Sequence, residues 1–137
     1  MRYGLIFLLI LAISGCSQSH PDIHISDIVA LPSPVMKGVV SVFMRISNNG
    51  GKDYLIGAKT DIKGSIVELH DVKNGRMVKV DRIKIPTKDK VEMVPRGLHI
   101  MIFNLPDNIM NGDEINLYMI FDKSGERAVK FKVLKKH

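Results

Sequence analysis

The sequence predicts an all-β domain, an antiparallel sandwich or barrel of about nine short strands. Three observations support this fold class: short apolar and polar alternations recur along the chain, Gly, Pro, Asn and Asp turns separate them, and no 3.6-residue apolar stripe is long enough for a helix. Short strands that follow one another without intervening helices favour antiparallel pairing over parallel βαβ units.

The first element, residues 1–15, is predicted to be a signal peptide. Arg2 precedes an apolar run from Leu5 to Ile13. Nine residues of helix rise only about 14 Å, less than half of a bilayer core, so the run fits a secretory segment and not a membrane span.

Cys16 follows at the predicted cleavage site. "Ile13-Ser14-Gly15-Cys16" resembles the lipobox of bacterial lipoproteins, which predicts that Cys16 is lipidated and becomes the first mature residue. The alternative is an ordinary signal peptide followed by a free cysteine. Because Cys16 is the only cysteine in the chain, no internal disulfide can stabilise the fold.

Residues 16–22 are predicted to form the lipidated cysteine and a short polar linker, and residues 23–137 the folded domain. Such a linker keeps the domain close to its membrane, in the bacterial envelope and facing the periplasm or the cell exterior. Ser17 after the cysteine resembles the outer-membrane sorting signal of Gram-negative bacteria, so the inner and the outer membrane both stay open.

Nine segments of the domain carry the alternation and turn boundaries of strands. The predicted strands are Ile23–Ala30, Val39–Ser47, Tyr54–Thr60, Ser65–Val72, Met77–Ile83, Lys90–Val94, Leu98–Asn104, Glu114–Asp122 and Ala128–Leu134.

Charge and motifs exclude several classes of function. The formal net charge is +6, but no Lys/Arg run with interleaved aromatic residues indicates a nucleic-acid partner. No Ser/His/Asp, Cys/His or paired-carboxylate arrangement has a context that predicts catalysis. The chain is therefore not predicted to be an enzyme.

Two His/Met pairs are the candidate functional feature. Asn74-Gly75 predicts a two-residue type I′ hairpin, which places His70 and Met77 on one face as diagonal neighbours. His99 and Met101, two positions apart on a predicted strand, also share a face.

Imidazole and thioether together form a soft, uncharged ligand set. Such a set favours Cu(I), and it suits zinc poorly because thiolate and carboxylate are absent. Methionine on a strand face is more commonly core filler, and an isolated histidine is usually solvated or hydrogen-bonded. Spacing alone therefore leaves both the copper site and ordinary packing open.

Several stretches resemble the PCu(A)C family of periplasmic copper chaperones. They are "NNGGKDYLIGAKTDIKGSIVELH", "GRMVKV", "IKIP", "VEMVPRGLHIMIFNL" and "GDEINLYMIFDKSGE". The family signature has a histidine, then a methionine, then after 21 residues His-x-Met. Met77 and His99 are separated by 21 residues, and Met101 completes His-x-Met.

The resemblance implies a Greek-key, cupredoxin-like sandwich and copper ligation by His70, Met77, His99 and Met101. It also implies a chaperone that binds one Cu(I) and delivers it toward the copper centre of cytochrome c oxidase, alongside a Sco-type thioredoxin-like partner. The alternatives are a structural envelope lipoprotein that has kept the fold, and a copper buffer without a dedicated acceptor.

Two positions depart from the family pattern. The first histidine usually precedes the methionine by eleven residues, whereas the interval from His70 to Met77 is seven. The odd interval keeps both side chains on one face but makes His70 the least secure ligand. Arg96 stands where the family commonly has glycine in a Pro-Gly-Gly turn.

Overall fold

Two antiparallel sheets form the structure, a computed structural model that describes residues 19–135. The ten strands and one short helix are β1 Ile23–Pro32, β2 Val40–Asn48, β3 Asp53–Thr60, β4 Ile66–Lys73, β5 Arg76–Lys79, β6 Ile83–Ile85, β7 Asp89–Glu92, β8 His99–Phe103, α1 Asp107–Met110, β9 Glu114–Phe121 and β10 Gly125–Lys132. The predicted signal peptide, Cys16 and Ser17 lie outside the described residues. No helix within residues 19–135 is long and apolar enough to cross a membrane.

The larger sheet has the order β1-β2-β8-β4-β5. β1 pairs along the whole of β2, so β8 and β7 divide the opposite edge of β2 between them. The smaller sheet has the order β10-β9-β3-β6, and a parallel bridge from Ala30 to Val133 joins the two sheets along one side. The fold-class prediction of an antiparallel, cupredoxin-like sandwich is confirmed.

The core lies between the sheets because one face of each central strand is apolar. In β2 and β9 every second residue is buried, as expected for strands with one face inward. The methionines Met44, Met93 and Met119 belong to this core. For these three thioethers the ordinary packing interpretation is correct.

The predicted strand Met77–Ile83 is wrong as one element, because the chain leaves one sheet and enters the other within it. Arg76–Lys79 pairs with β4, whereas Ile83–Ile85 pairs with β3. Because these two partners lie in different sheets, the strand is interrupted between Lys79 and Ile83. The sequence alternation continues through the break because Ile83 and Ile85 also point into the core.

The one-turn helix Asp107–Met110 was not expected from the sequence. Four residues are too few to show a helical period, and Ile109 is its buried residue. The helix takes no part in the pairing of β4 with β8, so it does not change the prediction for the site.

Candidate metal site

β8 is buried on both of its faces, although only one face meets the core. Ile100 and Ile102 belong to the core cluster, whereas Met101, 2% exposed, and His99, 3% exposed, do not. Alternation along the strand places His99 and Met101 on the outer face of the larger sheet. Side chains there are normally solvated, so these two are covered by neighbours on the same face.

His70 lies directly opposite His99 in the pairing of β4 with β8. The centroids of the two imidazole rings are 5.5 Å apart, and the side chain of His70 is also buried. Phe43 lies 5.9 Å from His99 and Phe103 lies 6.3 Å from His70, measured between ring centroids. The two imidazoles therefore lie side by side, and each is flanked by a phenylalanine ring.

One nitrogen of His99 is held by the turn before β8. The Nδ1–H of His99 donates to the carbonyl oxygen of Gly97 across 2.9 Å. Because a carbonyl oxygen can only accept, Nδ1 carries the hydrogen of the neutral ring. The lone pair is then on Nε2, which is buried and has no hydrogen-bond partner among the described residues.

The ring of His70 is held through its Nε2 atom, and not through Nδ1, by a carboxylate. Its Nε2–H donates to Oε2 of Glu68 across 2.7 Å. This leaves the lone pair on Nδ1, which is likewise buried and without a partner in the part of the chain that the structure describes. The hydrogen bond from His70 lowers the pKa of the Glu68 carboxyl below its ordinary value, and Lys79 adds to this effect.

Glu68 is a functional candidate that the sequence reasoning missed. It lies two residues before His70 and directly opposite Met101, so all three share the outer face. The period of two along β4 was the signal that could have found it. A carboxylate that accepts from the outer nitrogen of a histidine orients the ring and increases the basicity of the other nitrogen toward a metal.

The type I′ hairpin is as predicted. Asn74 and Gly75 have φ of 52° and 71°, and the pairing places Met77 opposite Val72 and Lys79 opposite His70. Met77 is therefore the diagonal neighbour of His70. Its side chain is 52% exposed, whereas the other three predicted ligands are buried.

Two adjoining clefts connect the methionines with His99. One, of about 350 Å³, is lined by Met77, His99 and Arg96. The other, of about 390 Å³, is lined by Met77 and Met101. The structure thus brings the four predicted residues to one region of the outer face, with Met77 at its surface.

Arg96 occupies a strained turn beside this region. The N–H of Gly97 donates to the carbonyl oxygen of Val94 across 3.0 Å, and Arg96 at the third position of the turn has φ of 69°. Such a turn normally takes glycine there because a side chain at positive φ is strained. The arginine side chain is thereby placed on the rim of the cleft next to His99.

The donor chemistry fits a soft ion. Within residues 19–135 no group of three or more His, Cys, Asp or Glu residues is placed to hold a metal. A metal at this site would consequently need thioether ligands beside the two imidazoles, as Cu(I) accepts and hard cations do not. Two buried imidazole nitrogens without a partner among the described residues are unusual in a folded protein, and their lone pairs are available to a ligand.

Comparisons with known proteins give the same fold. No curated protein matches the chain. The copper-bound PCuAC domain from PmoF2 is 22% identical and has a TM-score of 0.67, over 85% of this chain and 99% of that one. The apo PCuAC domain from PmoF1 is 20% identical with a TM-score of 0.70, over 85% and 100% of the two chains. The apo PmoF2 PCuAC domain is 21% identical with a TM-score of 0.63, over 82% and 92%.

A family model described as "Putative lipoprotein LpqE-like" matches residues 23–133, which is nearly the whole of the described domain. The matching solved structures cover the same sandwich, and at 22% and 20% identity they support the fold alone. The resemblance to PCuAC domains seen in the sequence is confirmed, and the chain belongs to the LpqE-like family.

Proposed function

We propose that the protein is a copper chaperone of the bacterial envelope, which carries one Cu(I) ion on His70, Met77, His99 and Met101. The observation that carries this proposal is the pair of buried nitrogens, Nδ1 of His70 and Nε2 of His99, which have lone pairs and no partner within residues 19–135. Their outer nitrogens are hydrogen-bonded in the manner typical of metal-binding histidines. The copper-bound PCuAC domain from PmoF2, which has the same fold, supports the same class of cargo.

The unequal exposure of the ligands supports transfer and not permanent storage. The Met77 thioether is half exposed, whereas His70, His99 and Met101 are buried. Met77 would be the first ligand that a thiolate of an acceptor displaces, and the buried ligands would follow. Because imidazole binds copper only when neutral, acidification favours release of the ion.

The resemblance to periplasmic chaperones suggests the acceptor. We infer delivery toward the copper centre of cytochrome c oxidase, with a Sco-type thioredoxin-like protein as a second partner. The protein would then act by binding and exchange and would not be an enzyme.

The position of Ile23, the first residue of β1, is compatible with lipid anchoring through Cys16. Ile23 pairs with Asn48 at one end of β2, whereas Ser41, near the other end, pairs with Met101. A lipidated Cys16 would therefore hold the domain by the end remote from the site, which would leave the site facing away from the bilayer. Membrane fractionation of the wild-type chain and of Cys16→Ser tests this: the variant should leave the lipoprotein fraction.

The ligand assignment predicts a large loss of Cu(I) affinity when one ligand is removed. His99→Ala and Met101→Leu should each weaken Cu(I) binding by more than the roughly 10- to 100-fold that loss of an outer-shell partner costs. Met93→Leu is the matched control, because Met93 is a nearby buried core methionine and should leave the affinity unchanged. A competitive Cu(I) titration in which all three variants bind equally would refute the assignment.

A copper-transfer experiment distinguishes the chaperone from the two alternatives, a copper buffer and a structural lipoprotein. Lys79 lies opposite His70, with its Nζ 3.8 Å from Oε1 of Glu68, and this cation favours a weaker or purely structural site. Only a chaperone should pass its copper to an apo oxidase copper domain. A buffer should bind without delivering, and a structural lipoprotein should not bind one equivalent at all.

A further inference from the structure

The loop between β1 and β2 carries a methionine at the mouth of the cleft. Met36 lines the 390 Å³ cleft together with Met77 and Met101. Its side chain is 43% exposed and does not belong to the core cluster. Core filling, which explains Met44, Met93 and Met119, therefore does not explain Met36.

Strand register brings this loop to the site. Leu31 pairs with Ser41, and Ser41 also pairs with Met101, so the end of β1 lies two strands from Met101. β1 ends one residue later, at Pro32, and the loop begins there. A loop at this place can reach over the outer face of β2 toward Met101.

Hydrogen bonds fix the backbone of the loop. The hydroxyl of Ser33 accepts from the N–H of Val35 at 3.3 Å and from the N–H of Met36 at 3.1 Å. The Ser33 N–H donates to the Val39 carbonyl at 2.8 Å, and the Gly38 carbonyl accepts from Leu105 at 2.9 Å. Met36 is thus held on the rim of the cleft by a closed turn, which lowers the entropy lost when its side chain binds an ion.

From this arrangement we propose that Met36 is an additional soft-metal ligand, placed outside the four-residue signature. Its thioether and that of Met77 form an outer pair of ligands at the mouth of the cleft, where Cu(I) first binds. The sulfur donates a lone pair to the ion, so no covalent bond breaks and the ion keeps its oxidation state. The inference rests on the proposed copper function of the inner site.

Silver provides the direct test, because Ag(I) is a soft monovalent ion with the ligand preference of Cu(I) and is not oxidised in air. The full chain carrying Cys16→Ser, in detergent micelles, removes the only thiol that could compete. With ¹³C-labelled methionine methyl groups, one equivalent of Ag(I) should shift the signals of Met36, Met77 and Met101. The buried Met44 and Met119 should not move.

A matched pair of variants gives the second readout. Met36→Leu should lower the Ag(I) affinity about tenfold, which corresponds to about 1.4 kcal/mol. Met110→Leu makes the same chemical change on α1 and should leave the affinity unchanged.

The outcomes separate this inference from the proposed function. Shifts at Met77 and Met101 without a shift at Met36, together with unchanged affinity of Met36→Leu, would overturn the role of Met36 and leave the inner site intact. Equal shifts at Met36 and Met110 would also overturn it, because they would indicate binding to any surface thioether. Unmoved Met77 and Met101 signals would instead contradict the copper site itself.

Discussion

Buried polar side chains have all their hydrogen-bond partners at one end of the larger sheet and lack some of them at the other. At the end where β2 stops, Asn48 is 2% exposed and every hydrogen-bonding group of its amide is used. Its Oδ1 accepts from Asp22 and Gly50, both at 3.0 Å, and its Nδ2 donates to Gly51 at 2.8 Å and Pro86 at 2.9 Å. Asn48 thus ties three chain segments together.

At the other end, His70 and His99 each keep one buried nitrogen without a partner among the described residues. A satisfied buried polar group rigidifies a fold, whereas an unsatisfied one destabilises it until something binds. The cleft beside Asn48, about 480 Å³, is larger than either cleft at the histidine end, yet no histidine or methionine lines it. Unsatisfied nitrogen atoms, and not cavity size, distinguish the histidine end from the Asn48 end.

The largest expected effect contrasts the two ends directly. Asn48→Ala should destabilise the metal-free protein by about 3 kcal/mol, because it leaves several buried backbone groups without partners. His99→Phe should change stability by less than about 1 kcal/mol, since it removes an unsatisfied nitrogen along with one hydrogen bond. Urea unfolding measures both, with Asn116→Ala, which loses only one side-chain hydrogen bond to Asp61, as the control for the first.

Copper binding should stabilise only the variants that keep His99. One equivalent of Cu(I) should raise the unfolding midpoint of the wild type and of Asn48→Ala, but not that of His99→Phe. Equal stability losses in the two variants, or equal protection by copper, would show that the two ends do not differ as described.

The glycines beside Asn48 give the next effect. A Cβ at Gly51 would lie 1.9 Å from the carbonyl oxygen of Ser19, whereas a Cβ at Gly57 would meet nothing within 4 Å. Gly51→Ala should therefore displace residues 19–22 and destabilise the protein by about 2 kcal/mol. Gly57→Ala is the matched control, and thermal unfolding that gives the same midpoint for both variants would exclude close packing of Gly51 against residues 19–22.

Acid should remove the stabilisation that the hydrogen-bonded carboxylate of Asp53 contributes to the folded state. Burial acts to raise the pKa of Asp53, but hydrogen bonds from Ser124, Lys123 and Tyr54 outweigh it and hold the pKa below the ordinary value. Because the folded pKa is the lower one, the stabilisation is present above about pH 4 and is lost as the pH falls through the folded pKa. Asp53→Asn should flatten this acid limb in unfolding measured against pH; an unchanged slope would contradict the assignment.

The smallest effect concerns the strained turn at the histidine end. Arg96→Gly should stabilise the metal-free protein by about 1 kcal/mol, because glycine adopts φ of 69° without strain. Arg96→Ala removes the same charge but keeps a Cβ, so it should show no such gain. If both variants gain equally in urea unfolding, repulsion by the guanidinium and not backbone strain is the cause.

Much of the scaffold could be predicted because its signals are local. Asn74-Gly75 predicted the hairpin and its pairing to the residue, since both turn positions need positive φ. The break between β5 and β6 could not be predicted, because alternation continues across it while the strand changes sheet. The role of Asn48 could not be predicted either, since two of its four partners, Asp22 and Pro86, lie in distant segments of the chain.

The sequence by itself determined the strand alternation, the hairpin register and the choice of imidazole and thioether as candidate ligands, because these depend on neighbours a few residues apart. Only the tertiary structure decided that His70 lies opposite His99, that Glu68 and Gly97 hold their outer nitrogens, and that Met36 reaches the same cleft. The pairing of His70 with His99 and the approach of Met36 to the cleft join segments about 30 or more residues apart, and backbone pairing between distant strands, not local pattern, sets their register.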